Sequence, residues 1–135
     1  MDGKSQLVVA FALALSLAGC ASAPKFQHVT FADLLEHPER FNGARVGVTA
    51  CAFNSMHGTV LLECNRADSK PIALGIPSVT DPIYPLYNRL FGVQAQFSTP
   101  RVRADVVGRY EWHPGEMPSR ILRLERVRAA RPYEP

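Results

Sequence analysis

The clearest pattern in the chain is the alternation of apolar and polar residues, which is typical of β-strands with one buried face. Near position 50 every second residue is apolar: Val46, Val48, Ala50 and Ala52. A longer alternation covers 101–112, and its apolar face contains Val102, Ala104, Val106, Gly108, Tyr110 and Trp112. Both stretches predict strands with one face in a core. A third short strand is predicted over 71–76, with Ile72, Leu74 and Ile76 on one face.

The first alternating strand is followed by a hairpin signal. Asn54 to Gly58 is a turn segment, and the letters TVLLEC at 59–64 supply the returning strand. If the turn centres on His57 and Gly58, Cys51 lies directly opposite Cys64. In this register the two cysteines form a non-hydrogen-bonded pair of the antiparallel ladder. The Cα atoms of such a pair approach to about 4.5 Å, within the range of a disulfide. We therefore predict a structural Cys51–Cys64 disulfide.

Two helices are predicted by their end signals. Thr30-Phe31-Ala32-Asp33 resembles a capping box, and the helix that it opens is expected to stop at Pro38. A second helix follows the Ser78–Pro82 cluster and ends at Gly92. Its apolar residues recur at helical spacing: Ile83, Leu86, Tyr87, Leu90 and Phe91.

The segment from Ile121 to Ala129 fits two structures. Ile121, Leu124 and Val127 suit a basic amphipathic helix, whereas Leu122 and Leu124 alternate as in a strand. The strand at 101–112 needs a partner for its backbone groups, and this need favours the strand.

The N-terminal segment predicts export. Leu7–Ala18 is a 12-residue apolar run, too short for a bilayer span of about 20 residues but suited to a signal peptide. The letters LAGC at 17–20 resemble a bacterial lipobox, which implies cleavage before Cys20 and acylation of Cys20. The alternative is a plain secretory peptide cut near Ala21–Ala23. Because Ala21, not Asp, follows the cysteine, the family's sorting rule implies the periplasmic face of the outer membrane.

Composition adds little to this picture. The 135 residues carry a formal net charge of +3 and are 47% hydrophobic, which fits one globular domain. The charge is too mild to indicate nucleic-acid binding. The expected division is a signal peptide at 1–19, a lipidated tether at 20–27, a globular domain at 28–131 and a short tail at 132–135.

The predicted element order is a short helix, three strands, a helix and two strands. It resembles the OB-fold, a five-stranded Greek-key barrel that binds oligonucleotides or oligosaccharides in many of its members. The resemblance implies a mainly β fold with short helices, one helix before the first strand and one between the third and fourth. The stretch LLEHPERFNGARVGV at 34–48 also resembles the lead-in of small bacterial envelope proteins of this fold.

The resemblance also suggests where a ligand would bind. OB-fold ligands lie across the second and third strands, between two loops that correspond here to 54–58 and 113–119. Trp112, His113 and His57 are candidates for a stacking rim, against the alternative of half-buried packing and solvated turns. Arg103 and Arg109 share a strand face with Arg101 and are candidates for holding an anion. Cross-strand ion pairing with Glu125 and its neighbours is the alternative.

The sequence contains no known catalytic pattern. The four histidines are scattered, and there is no Gly-x-Ser-x-Gly, His-Glu-x-x-His or P-loop motif. We therefore expect a non-catalytic module without cofactor or metal, which binds an envelope protein or a cell-wall glycan. Two alternatives stay open: docking on anionic lipid through a basic C-terminal amphipathic segment, and nucleic-acid binding by a chain that is not exported.

Overall fold

Five strands close into a barrel in the computed structural model, which describes residues 25–55, 58–66, 68–92 and 101–134. In chain order the elements are β1 (Gln27–His28), α1 (Phe31–Glu36), α2 (Pro38–Phe41), β2 (Arg45–Ser55), β3 (Gly58–Leu62), β4 (Ile72–Gly75), α3 (Tyr84–Phe91), β5 (Val102–Trp112) and β6 (Arg120–Pro132).

The strand order is that of an OB-fold barrel. The sheet runs β2-β3-β4-β6-β5, and β5 pairs again with β2, so the barrel has no free edge. β4 and β6 are parallel neighbours, and the other barrel pairs are antiparallel. The predicted OB-like fold is confirmed, with α1 before the first barrel strand and α3 between the third and fourth.

The ambiguous segment near the C-terminus is a strand. β6 pairs antiparallel with β5 and parallel with β4, so the backbone groups of both neighbours have partners. The helical alternative for 121–129 is wrong, because a helix there would leave the barrel open between β4 and β5.

The Cys51–Cys64 disulfide is confirmed, with the two Cα atoms 4.9 Å apart, but the predicted hairpin register is wrong. β2 continues to Ser55 and β3 begins at Gly58, so Cys51 pairs with Leu62 and Cys64 lies beyond the end of β3. In the observed register the buried Ala52 and Leu61 face each other. The predicted register would have placed Glu63 opposite Ala52, which would bury a carboxylate in the core.

The barrel interior contains the apolar positions that the alternation predicted. Tyr110 is fully buried, and its hydroxyl donates to the Leu34 carbonyl oxygen at 3.0 Å, which joins α1 to the barrel. Burial raises the pKa of Tyr110, and the nearby Arg120 guanidinium opposes this effect. At the other end α3 covers the interior with Tyr87 and Phe91. The buried Thr59 hydroxyl lies 3.1 Å from the Tyr87 hydroxyl.

Local signals account for several element ends. The predicted capping box is present, with the Asp33 N–H donating to Thr30 Oγ1 at 3.1 Å. Pro38 ends α1 as predicted, but it also begins the single turn of α2. Ile76 does not share the buried face of β4: the strand ends at Gly75, and Ile76 is 62% exposed.

The short strand β1 was not predicted, because two residues carry no periodic pattern. It runs parallel to β2, with Gln27 opposite Val46, and the Val29 N–H donates to the Gly47 carbonyl oxygen at 3.0 Å. The Phe26 ring lies directly on Gly47, where an added Cβ would come within 2.6 Å of the ring. The last residues of the segment assigned to the tether are therefore packed on the outside of the barrel.

Candidate binding surfaces

Trp112 and His113, two of the three residues expected to form a stacking rim, make hydrogen bonds within the fold. His57 and the lipidation candidate Cys20 lie outside the described residues. Trp112 is half-buried against the core, and its backbone N–H donates to Asn42 Oδ1 at 3.0 Å. His113 Nε2 lies 3.0 Å from Glu111 Oε1, and the His113 N–H donates to the Ser119 carbonyl oxygen at 2.7 Å. A ligand role for this rim stays a prediction.

Arg109 lies in a network of ion pairs and hydrogen bonds on the outside of the barrel. Arg45, Arg109 and Arg123 are directly opposite one another on β2, β5 and β6. Arg45 Nε lies 2.6 Å from Glu125 Oε2, and Arg123 Nε lies 2.6 Å from Glu111 Oε2. The Arg109 guanidinium donates to the Gly43 carbonyl oxygen at 2.8 Å. Each of these three guanidinium groups therefore has an acceptor.

Glu111 is the electrostatic centre of this network. Its hydrogen bond with Arg123 lowers the pKa of the Glu111 carboxyl, and the hydrogen bond with His113 lowers it further. The same pair raises the pKa of Arg123. These directions indicate a charged pair that stabilises the junction of β5 and β6.

Arg103 lies elsewhere, in a groove on the outside of β2, β5 and β6. Three adjoining recesses of about 390, 320 and 170 Å³ share Thr49 as a lining residue, and we call them together the basic groove. The Thr49 hydroxyl donates to Asp105 at 2.5 Å on its floor. Arg103 and Arg131 line one recess from opposite strands, and Arg128 lines another.

Arg103 and Arg131 differ from the arginines of the ion-pair network. They are cross-strand partners, yet within the described ranges neither guanidinium has a hydrogen-bond or ion-pair partner. The expected pairing with Glu125 does not occur here, because Glu125 is paired with Arg45. Like charges directly opposite each other destabilise a sheet. The pair therefore leaves two guanidinium groups without a direct protein partner in a concave surface that Asp105 and Glu63 also line.

A second surface lies on the other side of the barrel and is apolar. Phe53, Val60, Ala73 and Ile121 are in register on four adjacent strands, β2, β3, β4 and β6. We call this row the apolar strip, and at about 4.8 Å between strands it is roughly 14 Å wide. Phe53 is 42% exposed. The loop after β2 borders one end of the strip and the 113–119 loop borders the other, as on the ligand face of OB-folds.

Other large apolar side chains are exposed outside the apolar strip. Among the described residues, the large exposed apolar side chains besides Phe53 are Ile76, Val79 and Met117. Ile76 and Val79 follow β4, and Met117 lies in the 113–119 loop. Ile76 also lines a recess of about 180 Å³ beside α3. Sequence analysis missed the strip because its four residues come from four separate strands, and only the register aligns them.

The described part of the chain contains no group of three or more His, Cys, Asp or Glu residues placed to hold a metal ion. None of its helices is long and apolar enough to cross a membrane.

Comparisons with protein-family models, with curated proteins and with solved structures each found no match. The function is therefore argued from the two surfaces.

Proposed function

We propose that this protein is a non-catalytic binding module, anchored by acyl chains on Cys20 to the periplasmic face of the outer membrane, which binds another envelope protein through the apolar strip. The observation that carries this proposal is the in-register row Phe53-Val60-Ala73-Ile121 on the face that binds ligands in OB-folds. The compartment is proposed from the lipobox and from Ala21 alone.

The chemistry of the strip favours a protein over a cell-wall glycan. Its four side chains contain no hydrogen-bonding group, whereas glycan recognition needs placed donors and acceptors beside an aromatic ring. An exposed phenylalanine flanked by small and branched apolar residues is instead suited to be an interface anchor. The disulfide joins Cys51 within β2 to Cys64, just after β3, and so links the two strands that carry Phe53 and Val60.

The binding test compares Phe53→Asp with Val79→Asp in the full-length chain, expressed in its own cells and crosslinked before purification. Both changes place one carboxylate at an exposed apolar position, but Val79 lies outside the strip and is 73% exposed. Truncating or charging an aromatic anchor costs about 2 kcal/mol or more, or roughly a 30-fold loss of affinity.

We expect the unchanged chain and Val79→Asp to recover the same partner protein in equal amounts. Phe53→Asp should not recover it. Circular dichroism and thermal unfolding of the two variants check that both keep the fold. Equal recovery of every crosslinked protein by Phe53→Asp would reject the strip as the binding face. Recovery of peptidoglycan fragments that depends on Phe53 would instead assign the strip to a glycan.

The anchor has its own test. Intact mass spectrometry of the membrane-extracted protein should find a chain that begins at Cys20 and carries acyl chains. A chain that begins after Ala23 without lipid would replace the lipoprotein proposal with plain secretion. An unprocessed chain would revive nucleic-acid binding, which strongly salt-dependent binding of single strands would then have to support.

A further inference from the structure

The basic groove holds positive charge that the fold itself does not use. Arg103 and Arg131 oppose each other across β5 and β6, with no ion-pair partner in the part of the chain that the structure describes. In the comparable row of Arg45, Arg109 and Arg123, two guanidinium groups pair with glutamates and that of Arg109 donates to the Gly43 carbonyl oxygen. Because an unpaired like-charge pair costs stability, its presence points to an external anion.

More cationic side chains surround the groove. Lys25, Arg126, Arg128 and Arg131 are all exposed. The guanidinium carbons of Arg126 and Arg128 lie 5.7 and 5.4 Å from the centre of the Phe26 ring, so this ring holds two arginines beside the groove. The acidic side chains that line the groove are Asp105 and Glu63, and the Asp105 carboxylate accepts the Thr49 hydroxyl.

The position of this face relative to the proposed anchor suggests what the anion is. The described chain enters the barrel here, through Lys25 and Phe26, and Cys20 is five residues before Lys25. Five residues span at most about 18 Å even when fully extended. An acyl anchor on Cys20 would therefore keep this face close to lipid headgroups. The apolar strip is centred on β3 and β4, across the closed strand order from β5.

We propose that the face formed by Lys25, Arg103, Arg126, Arg128 and Arg131 docks on anionic phospholipid headgroups of the membrane that holds the anchor. This inference rests on the proposed lipid anchor. Guanidinium groups bind phosphate oxygens through two parallel hydrogen bonds, so arginine suits this role. Docking orients the domain, and the apolar strip then points away from the bilayer towards the partner.

The experiment measures how accessible the groove is on a membrane. Ala129, an exposed residue that lines the groove, is replaced by cysteine in the lipoprotein, and Ala129→Cys is reconstituted in vesicles. One set is phosphatidylcholine alone, and the other contains two parts phosphatidylcholine and one part phosphatidylglycerol. The rate of labelling by a membrane-impermeant maleimide is compared. Val79→Cys reports on a surface outside the groove.

We expect Ala129→Cys to be labelled at least about fivefold more slowly on the anionic vesicles, since one arginine near an anionic surface contributes about that factor. Val79→Cys should react equally on both. Adding Arg103→Gln and Arg131→Gln should reduce the difference, because three of the five cationic side chains of the face remain. About 1 M NaCl, where the Debye length is about 3 Å, should remove it. A control pair, Arg40→Gln and Arg89→Gln, removes the same charge elsewhere and should leave the difference unchanged.

Failure of docking and failure of the anchor give different results. Equal labelling of Ala129→Cys on both vesicles to which the protein is bound overturns docking and leaves the anchor intact. Docking is also overturned if Arg40→Gln with Arg89→Gln abolishes the difference in labelling rate between the two kinds of vesicle. The net charge of the protein, not this face, would then be responsible. Protein that floats only with anionic vesicles supports docking but rejects the anchor, and protein that floats with neither rejects both.

Discussion

At the scale of single residues, the arginines differ in whether a glutamate of the protein pairs with them. Arg45 and Arg123 are paired in this way, whereas Arg103 and Arg131 have no such partner among the described residues. Glu111 accepts from Arg123 and contacts His113, and Glu125 is paired with Arg45. Sequence analysis could place the arginines on one strand face, because a strand alternates with period two. It could not tell which of them would face a glutamate, because that depends on the register between β5 and β6 and on its bulges.

The lowered pKa of Glu111 predicts a loss of stability in acid. A carboxyl group whose pKa is lower in the folded state contributes stability above its ordinary value of 4.5, and this contribution is lost as the pH falls through the folded value. Glu111→Gln should therefore lower the free energy of unfolding by about 0.5 kcal/mol at neutral pH and flatten its decline below pH 4.5. Urea unfolding across this pH range measures both effects.

Arg123→Gln is the matched variant for this prediction, since Arg123 is the larger cause of the shift. It should remove most of the same acid dependence. If the free energy of unfolding falls as steeply below pH 4.5 in Glu111→Gln as in the unchanged protein, Glu111 is not the source of the acid dependence.

At the scale of elements, the long strands were predictable and their irregularities were not. The alternation of β5 follows from its sequence, but the register with β6 shifts between Val107 and Gly108. At Gly108 the two backbones are so close that an added Cβ would lie 2.3 Å from the Arg123 carbonyl oxygen. Glycine is needed there because of the close approach of the neighbouring strand β6, which the sequence of β5 alone does not show.

Gly108→Ala should therefore destabilise the protein by about 3 kcal/mol, the upper part of the range for overpacked sites. Gly75→Ala is the matched control, because its Cβ would also approach Arg123 but only to 3.3 Å. That variant should cost about 1 kcal/mol or less. Chemical unfolding of both variants measures the difference, and equal stabilities would show that β6 can move away from Gly108.

At the scale of the whole molecule, barrel closure and the disulfide stabilise the same hairpin in different ways. The ladder between β2 and β3 sets the register, whereas the disulfide joins β2 to the chain just after β3. The cysteine pairing was predictable from two cysteines in a chain whose N-terminal segment predicts export. Its offset of two residues was not, because only the packing of Ala52 against Leu61 inside the barrel selects it.

Replacing Cys51 and Cys64 together by alanine should lower the free energy of unfolding by about 3 kcal/mol, as expected for residues 13 apart in sequence. The native ladder should persist, because five residue pairs between β2 and β3 do not depend on the bond. Unfolding in urea and amide hydrogen exchange check the two statements. A free energy of unfolding unchanged within about 0.5 kcal/mol would mean that the disulfide adds no constraint.

The sequence by itself determined most of the elements of this protein, because periodicity, caps and turns act over a few residues, but it did not predict β1 or α2 and left 121–129 between a strand and a helix. The two-faced strands, the Thr30 capping box and the order that resembles an OB-fold were all readable in this way. Tertiary structure alone decided the register, and the register aligns Phe53 with Ile121 and leaves Arg103 facing Arg131. Both candidate surfaces combine residues from separate strands, so only barrel closure could bring them together.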